Sequence, residues 1–94
     1  MKIGYKTQQF FSEDGTRNVQ FRDIIIFKQF PDGTIELNAG NWFTATTKKK
    51  INQQLPPMLE IGLKGYKWIV TTPFGDVQFK NQIRFDKNGR VRNE

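Results

Sequence analysis

The 94-residue chain contains no cysteine and no histidine. Without thiols or imidazoles, the sequence excludes disulfides, thiolate chemistry, histidine acid–base catalysis and zinc sites of the Cys/His type. It also lacks a Gly-rich phosphate loop, a nucleophile motif and the spacing of metal ligands. We therefore expect a non-enzymatic protein without a cofactor.

Carboxylates are scarce, with nine Asp and Glu in total. Four of them fall in predicted turns: Asp14, Asp32, Asp76 and Asp86. Asp is expected in turns for backbone reasons, so these four do not indicate catalysis. The remaining enzymatic alternative is a metal-dependent nuclease built on Asp23, Glu36 and Glu60, which lie on different predicted strands.

Long apolar runs are absent as well. No stretch of about 18 apolar residues could form a membrane-spanning helix, and the N-terminus has no apolar region of the secretory type. We expect a cytosolic protein. No linker, repeat or low-complexity segment divides the chain, so we predict a single domain over residues 1–94.

What the chain does contain is positive charge and aromatic residues. Fifteen Lys and Arg outnumber the acidic residues and give a net charge of +6. Nine Phe, two Trp and two Tyr must supply much of the core volume. The charge favours polyanionic partners, with DNA or RNA as the leading class.

Short alternating runs separated by Gly, Asp and Asn turns predict a mostly β protein. We predict strands over residues 3–11, 19–30 and 34–38, then 58–63, 66–72 and 77–85, with a possible edge strand over 90–92. The predicted class is α+β, with six to seven strands and one helix in the order βββαβββ. The strands would form a small antiparallel sheet or a partly closed barrel.

The single helix is predicted over about residues 47–55. Thr46 or Thr47 can act as its N-cap. Pro56 disfavours helical geometry in the residue before it, so the helix should stop by about Leu55. Ile51 and Leu55 are four residues apart and would form the docking side.

Three lysines, Lys48, Lys49 and Lys50, follow the predicted N-cap. In a first helical turn they would oppose the helix dipole, and a bound anion would reverse that cost. They therefore suggest a phosphate site that includes Thr46 and Thr47. The alternative is a solvated run that only keeps the protein soluble.

Trp42 precedes the helix. A role in the core, or as a hydrophobic staple for the first helical turns, is favoured. The alternative is an exposed platform on which nucleic-acid bases stack.

A nucleic-acid footprint would join the lysine run to outward cations of the later strands: Lys67, Lys80, Arg84, Arg90 and Arg92. Most aromatics are predicted on the opposite face, which favours phosphate contacts and weak sequence specificity. The alternative function is a protein–protein interaction module, either a virion or assembly component or an inhibitor of a host protein. Its anchors would be any exposed members of this set: Phe10, Phe11, Trp42 and Phe74.

The segment NWFTATTKKKINQQL, followed by a Gly-x-x-Trp hairpin, resembles small uncharacterised proteins encoded in tailed-bacteriophage genomes. The likeness covers roughly residues 34–82. Its matching positions are Gly40, Trp42, Thr44, Thr46, Thr47, Lys48, Lys50, Ile51, Asn52, Gln53, Leu55, Gly65 and Trp68. Asn41 and Phe43 replace the Gly and Arg of that pattern, so one basic group is lost from the loop. The resemblance implies a phage protein in the host bacterial cytoplasm, with no established reaction.

Overall fold

A computed structural model describes residues 7–92, which form one helix and two antiparallel sheets. The strands of the larger sheet, in their order across it, are β1 (Thr7–Phe11), β2 (Arg17–Phe21), β3 (Ile24–Gln29), β4 (Ile35–Leu37), β8 (Ile83–Phe85) and β9 (Val91–Arg92). The smaller sheet contains β5 (Glu60–Lys64), β6 (Lys67–Thr72) and β7 (Gly75–Gln78).

The α+β class and the antiparallel pairing are confirmed. The described strands form two antiparallel sheets and no closed barrel. The predicted order is matched in part: one helix lies between two groups of strands, but four described strands precede it and five follow it. Residues 3–6 of the first predicted strand lie outside the described residues.

Two predicted strands are each divided by a residue with positive φ. Residues 19–30 form a hairpin of β2 and β3 around Arg22, whose φ is 60°. Residues 77–85 supply β7 to the small sheet and β8 to the large one, and Gln82 between them has a φ of 67°. Neither residue is glycine, so the usual marker of a positive φ is missing at both reversals.

A bulge in the second hairpin strand explains an unusual burial pattern. The register between β2 and β3 shifts at Val19 and Gln20. This leaves Ile26 without a partner of its own in β2, and both Ile26 and Phe27 are buried. A bulge re-aims one side chain, so neighbouring residues can share the core face.

The helix, α1 (Ala45–Gln54), completes a single core between the sheets. Ile51 is fully buried and belongs to the same cluster as Leu37 of the large sheet and Val70 of the small one. The predicted docking role of Ile51 is confirmed. The helix ends at Gln54, with Leu55 as its C-cap, as the following prolines predicted.

Polar side chains also hold the helix in place. Asn52 donates from Nδ2 to the Ile61 carbonyl at 2.9 Å and accepts from the Ile61 N–H at 2.8 Å. At the end of the helix, Gln54 Oε1 accepts a hydrogen bond of 3.0 Å from Arg17 Nη1. The first contact joins the helix to the small sheet and the second joins it to the large one.

Three of the predicted Asp turns are confirmed: Asp14, Asp32 and Asp86. Each carboxylate accepts from a backbone N–H farther along its own turn. The main donors are Thr16, Thr34 and Arg90, and their hydrogen bonds lower the pKa of the three carboxyl groups. The prediction was wrong for Asp76, which lies in β7 opposite Thr71.

Within residues 7–92, no helix has the length and apolar character needed to cross a membrane.

Candidate nucleic-acid interface

The outer face of the large sheet carries a row of charged side chains that crosses four strands. Lys28 lies opposite Glu36. Glu36 in turn lies opposite Arg84, and Arg84 lies opposite Arg92. Side chains alternate between the two faces of a strand, and the residues that flank Glu36 and Arg84 in their strands are buried in the core. The row therefore faces away from the core and from α1.

A cleft of about 540 Å³ opens beside this row, and we call it the arginine cleft. Its polar lining consists of Glu36, Lys80, Asn81, Gln82, Arg84 and Arg92. Three of these side chains are positively charged and one is negatively charged. A polar, cationic cleft of this kind favours an anionic ligand over an apolar one.

The Arg84 side chain, which lines the arginine cleft, is held in place by two contacts. Its Nε donates to Glu36 Oε1 at 2.9 Å, and its guanidinium carbon lies 5.1 Å from the centre of the Phe30 ring. The Glu36 side chain is only 11% exposed, so this carboxylate is a structural partner for the arginine. The ion pair uses one of five guanidinium N–H donors.

The other end of the cleft is tied to the loop before the helix. Asn81 Oδ1 accepts from the Ala39 N–H at 2.9 Å, and Asn81 Nδ2 donates to the Gly40 carbonyl at 2.9 Å. Gly40 lies two residues before Trp42. The asparagine therefore fixes both an edge of the cleft and the segment that leads to the exposed indole.

Trp42 is not a core residue, and the favoured prediction for it was wrong. It is 45% exposed. Phe43 is also exposed, at 52%, but its ring meets Trp68 and Phe79 edge to face at centroid distances of 5.0 and 6.0 Å. Phe43 directly precedes the true N-cap, Thr44.

Around the exposed indole lies a second group, the Trp42 patch, which consists of Phe21, Arg22, Trp42 and Lys50. The Arg22 guanidinium carbon lies 5.3 Å from the centre of the Phe21 ring and 5.6 Å from that of Trp42. Lys50 Nζ lies 6.0 Å from the Phe21 ring centre. Two cations therefore flank one buried and one exposed aromatic ring.

The three lysines of the run do not share one side of the helix. The helix begins at Ala45, so Lys48 lies beyond the first three helical residues and its N–H already donates to the Thr44 carbonyl at 3.0 Å. Consecutive helical residues are turned by about 100° from one another, which spreads the three ammonium groups. Lys49 is exposed, whereas Lys48 and Lys50 flank the buried side of the helix.

The two threonines have different surroundings. Thr47 is buried, and Thr44 Oγ1 lies 3.2 Å from its N–H and 3.0 Å from its hydroxyl oxygen. The prediction that Thr46 or Thr47 is the N-cap was wrong, because Thr44 has that role. Thr47 contributes to the helix start and the core, while Thr46 is exposed in the first turn.

The remaining residues of the predicted site lie on different surfaces of the protein. Lys80, Arg84 and Arg92 meet at the arginine cleft. Lys67 lies in the small sheet opposite Lys64. Arg90 covers the exposed ring of Phe74, with 4.0 Å between its guanidinium carbon and the ring centre. The predicted footprint is therefore divided among several surfaces, which are the helix, the arginine cleft, the small sheet and the Phe74 ring.

Sequence reasoning missed Arg22, Asn81 and Gln82 as site residues. Arg22 was placed inside a continuous strand, although the Arg-Asp pair inside an apolar run was an available turn signal. Asn81 likewise interrupts residues 77–85 and was available as a loop signal. No local signal indicated that Asn81 would contact the loop at Gly40.

The carboxylates considered for a nuclease are not assembled. Within the described part of the chain, no group of three or more Asp or Glu side chains could hold a metal ion. Glu36 is engaged with Arg84 in the large sheet, whereas Glu60 lies in the small one.

Comparison with known proteins adds no relative: no family model, no curated protein and no solved structure matches this chain.

Proposed function

We propose that the protein binds nucleic acid through the arginine cleft, chiefly by contacts to phosphates. One observation carries the proposal, the convergence of Lys80, Arg84 and Arg92 on a polar cleft. Arginine and lysine are the side chains that most often hold phosphate oxygens, and arginine can do so with two parallel hydrogen bonds. The net charge of +6 adds long-range attraction for a polyanion.

Binding through phosphate contacts has two expected properties, which are weak sequence specificity and an affinity that depends on salt. Phosphate contacts fix the position of a nucleic acid but read no sequence, so specificity for sequence is weak. Each phosphate that is neutralised releases counterions, so the affinity falls as salt rises. The activity is binding without catalysis. Its proposed setting is the one that the resemblance implies, the cytoplasm of a phage-infected bacterium.

The test is a charge-matched pair of double variants. Lys80→Gln with Arg92→Gln removes two cations from the cleft, and Lys64→Gln with Lys67→Gln removes two from the small sheet. We expect the cleft variant to lose about tenfold in affinity for a labelled single-stranded oligonucleotide at low salt. The slope of log K against log salt should fall by about 1.4. Fluorescence anisotropy over a salt series measures both quantities.

The control pair should keep nearly all of the affinity, because neither Lys64 nor Lys67 lines the cleft. Equal losses in the two double variants would show that binding follows net charge alone, and the cleft would then have no special role. Absence of binding by the unmodified protein at low salt would refute the function itself. Arg84 is left intact because its removal would strand the largely buried Glu36 carboxylate.

A second candidate function is a protein-interaction module, favoured by the exposed rings of Phe10 and Phe11. Both belong to β1, which ends the order of described strands in the large sheet. Exposed aromatics on a terminal strand are suited to pairing with an extended segment of a partner. A specific partner that survives nuclease treatment and is lost on Phe11→Ser would support this function over nucleic-acid binding.

A further inference from the structure

The Trp42 patch contains an exposed aromatic ring. Trp42 keeps 45% of its surface exposed, whereas its similarly exposed neighbour Phe43 packs edge to face on Trp68 and Phe79. The backbone N–H of Trp42 donates to the Ala39 carbonyl at 2.9 Å, so the residue has a fixed main chain. The exposed indole therefore belongs to a residue of a hydrogen-bonded turn.

Cations accompany this indole. Arg22 lies over the ring at 5.6 Å from its centre, and Lys50 reaches the adjoining Phe21 ring. The cavity beside Arg22 and Trp42 has a volume of about 480 Å³ and also includes Gln8 and Asp23. A flat aromatic surface flanked by cations suits a nucleotide, because the base can stack while a cation holds its phosphate.

The patch is connected to the arginine cleft through the chain. Asn81 lines the cleft and binds the loop through the Ala39 N–H and the Gly40 carbonyl. Trp42 follows two residues later. Asn81 therefore contacts both the cleft and the loop that carries the indole.

We propose that Trp42 is a base-stacking platform that makes the protein selective for single-stranded nucleic acid. This inference rests on the proposed function and assigns its substrate class. In a duplex, each base is already stacked on its neighbours and is not available to a protein side chain without extrusion. In a single strand, the bases are free to stack on an aromatic ring whatever their sequence. Arg22 and Lys50 then act as phosphate ligands beside the platform.

The main test compares Trp42→Ala with the unmodified protein on three probes. These are a single-stranded DNA, the matching duplex, and an abasic strand with the same number of phosphates. We expect Trp42→Ala to lose about tenfold in affinity for the single strand. Its affinity for the duplex and for the abasic strand should stay unchanged, because neither offers a base to the indole. Trp42→Phe should recover much of the single-strand affinity.

A second variant separates binding from folding. Arg22 has a positive φ at the first central position of a two-residue hairpin turn, where type II′ turns prefer glycine. Arg22→Gly should therefore keep or raise the melting temperature. If Arg22 holds a phosphate beside Trp42, the same variant should bind the single strand more weakly. Unfolding cannot explain a variant that is at least as stable and binds less well.

Fluorescence gives an independent readout. Trp68 is only 7% exposed, so the response to ligand should come from Trp42. Single strands should quench the tryptophan emission of the protein, and this quenching should disappear in Trp42→Ala.

The outcomes separate the two proposals. If the unmodified protein binds none of the three probes, the proposed function fails and this inference fails with it. If the protein binds single strand and duplex but Trp42→Ala weakens both equally, or neither, the stacking inference alone is overturned. Unchanged single-strand binding by Arg22→Gly would remove Arg22 from the site.

Discussion

Asn52→Ala is expected to lower the free energy of unfolding by about 2–4 kcal/mol, although Asn52 is a polar residue of a short surface helix. Its side chain makes two short hydrogen bonds, one to the N–H and one to the carbonyl of Ile61 in β5. Alanine would leave both backbone groups without a partner in a partly buried position. The higher helix propensity of alanine would offset only a few tenths of a kcal/mol. Urea denaturation followed by circular dichroism measures the loss.

Two variants test this explanation. Gln53→Ala changes an exposed position of the same helix and should alter stability by less than about 0.5 kcal/mol. Asn52→Asp keeps an acceptor for the Ile61 N–H but places a second acceptor against the Ile61 carbonyl. It should therefore be no more stable than Asn52→Ala. If Asn52→Ala proved as stable as Gln53→Ala, the helix would not depend on this contact with the small sheet.

Asn52 also shows how far the sequence can predict the fold. The periodicity of Ile51 and Leu55, and the stop at Pro56, were sufficient to place the helix within about two residues and to orient its apolar side. The partner of Asn52 lies nine residues away, in a strand of the other sheet. Helix periodicity carries no information on that pairing, because the amide is neither apolar nor part of a capping motif.

The errors in strand count have one physical cause. Arg22 and Gln82 both have positive φ, and each lies inside a run that alternates as a continuous strand would. The burial alternation itself was correct for Phe79, Ile83 and Phe85, which are all buried. Buried and exposed residues continue to alternate across such a reversal, so the alternation cannot reveal that the chain has passed from one sheet to the other. This is why the sequence predicted one strand where β7 and β8 belong to different sheets.

Only part of the arginine cleft was predicted from the sequence. Basic residues of the last strands were expected to face outward together, and Lys80, Arg84 and Arg92 do meet at one cleft. The lysines of the helix were expected to join them, but Ile51 places that helix on the core side of the large sheet. The sequence also did not predict that Phe43, and not Trp42, would contact the rings of Trp68 and Phe79, although both residues remain exposed. The long-range contact between Asn81 and Gly40 decides the position of their loop.

Gly40→Ala is expected to cost about 2–4 kcal/mol, from two separate causes. Gly40 has a φ of +58°, which an L-residue with a side chain adopts at a cost of roughly 1–2 kcal/mol. A Cβ at this position would also meet the Cδ1 atom of Ile24, at a separation that real Cβ atoms do not show. Ile24 is half-buried against the core and must move to make room. Chemical denaturation of the variant measures the total loss in the free energy of unfolding.

Two other glycines and a compensating variant separate the backbone cost of the positive φ from the cost of the contact with Ile24. Gly62 has neither a positive φ nor an atom within 4 Å of a new Cβ, so Gly62→Ala should not destabilise the protein. Gly65 has a φ of +66° with open space around it, so Gly65→Ala reports the backbone cost alone. Ile24→Val removes the Cδ1 atom, and in a double-mutant cycle it should recover part of the loss in Gly40→Ala. If Gly40→Ala cost no more than Gly65→Ala and gained nothing from Ile24→Val, the close packing of this loop on Ile24 would be disproved. Recovery would show that the loop that carries Trp42 packs closely on one methyl group of the hairpin.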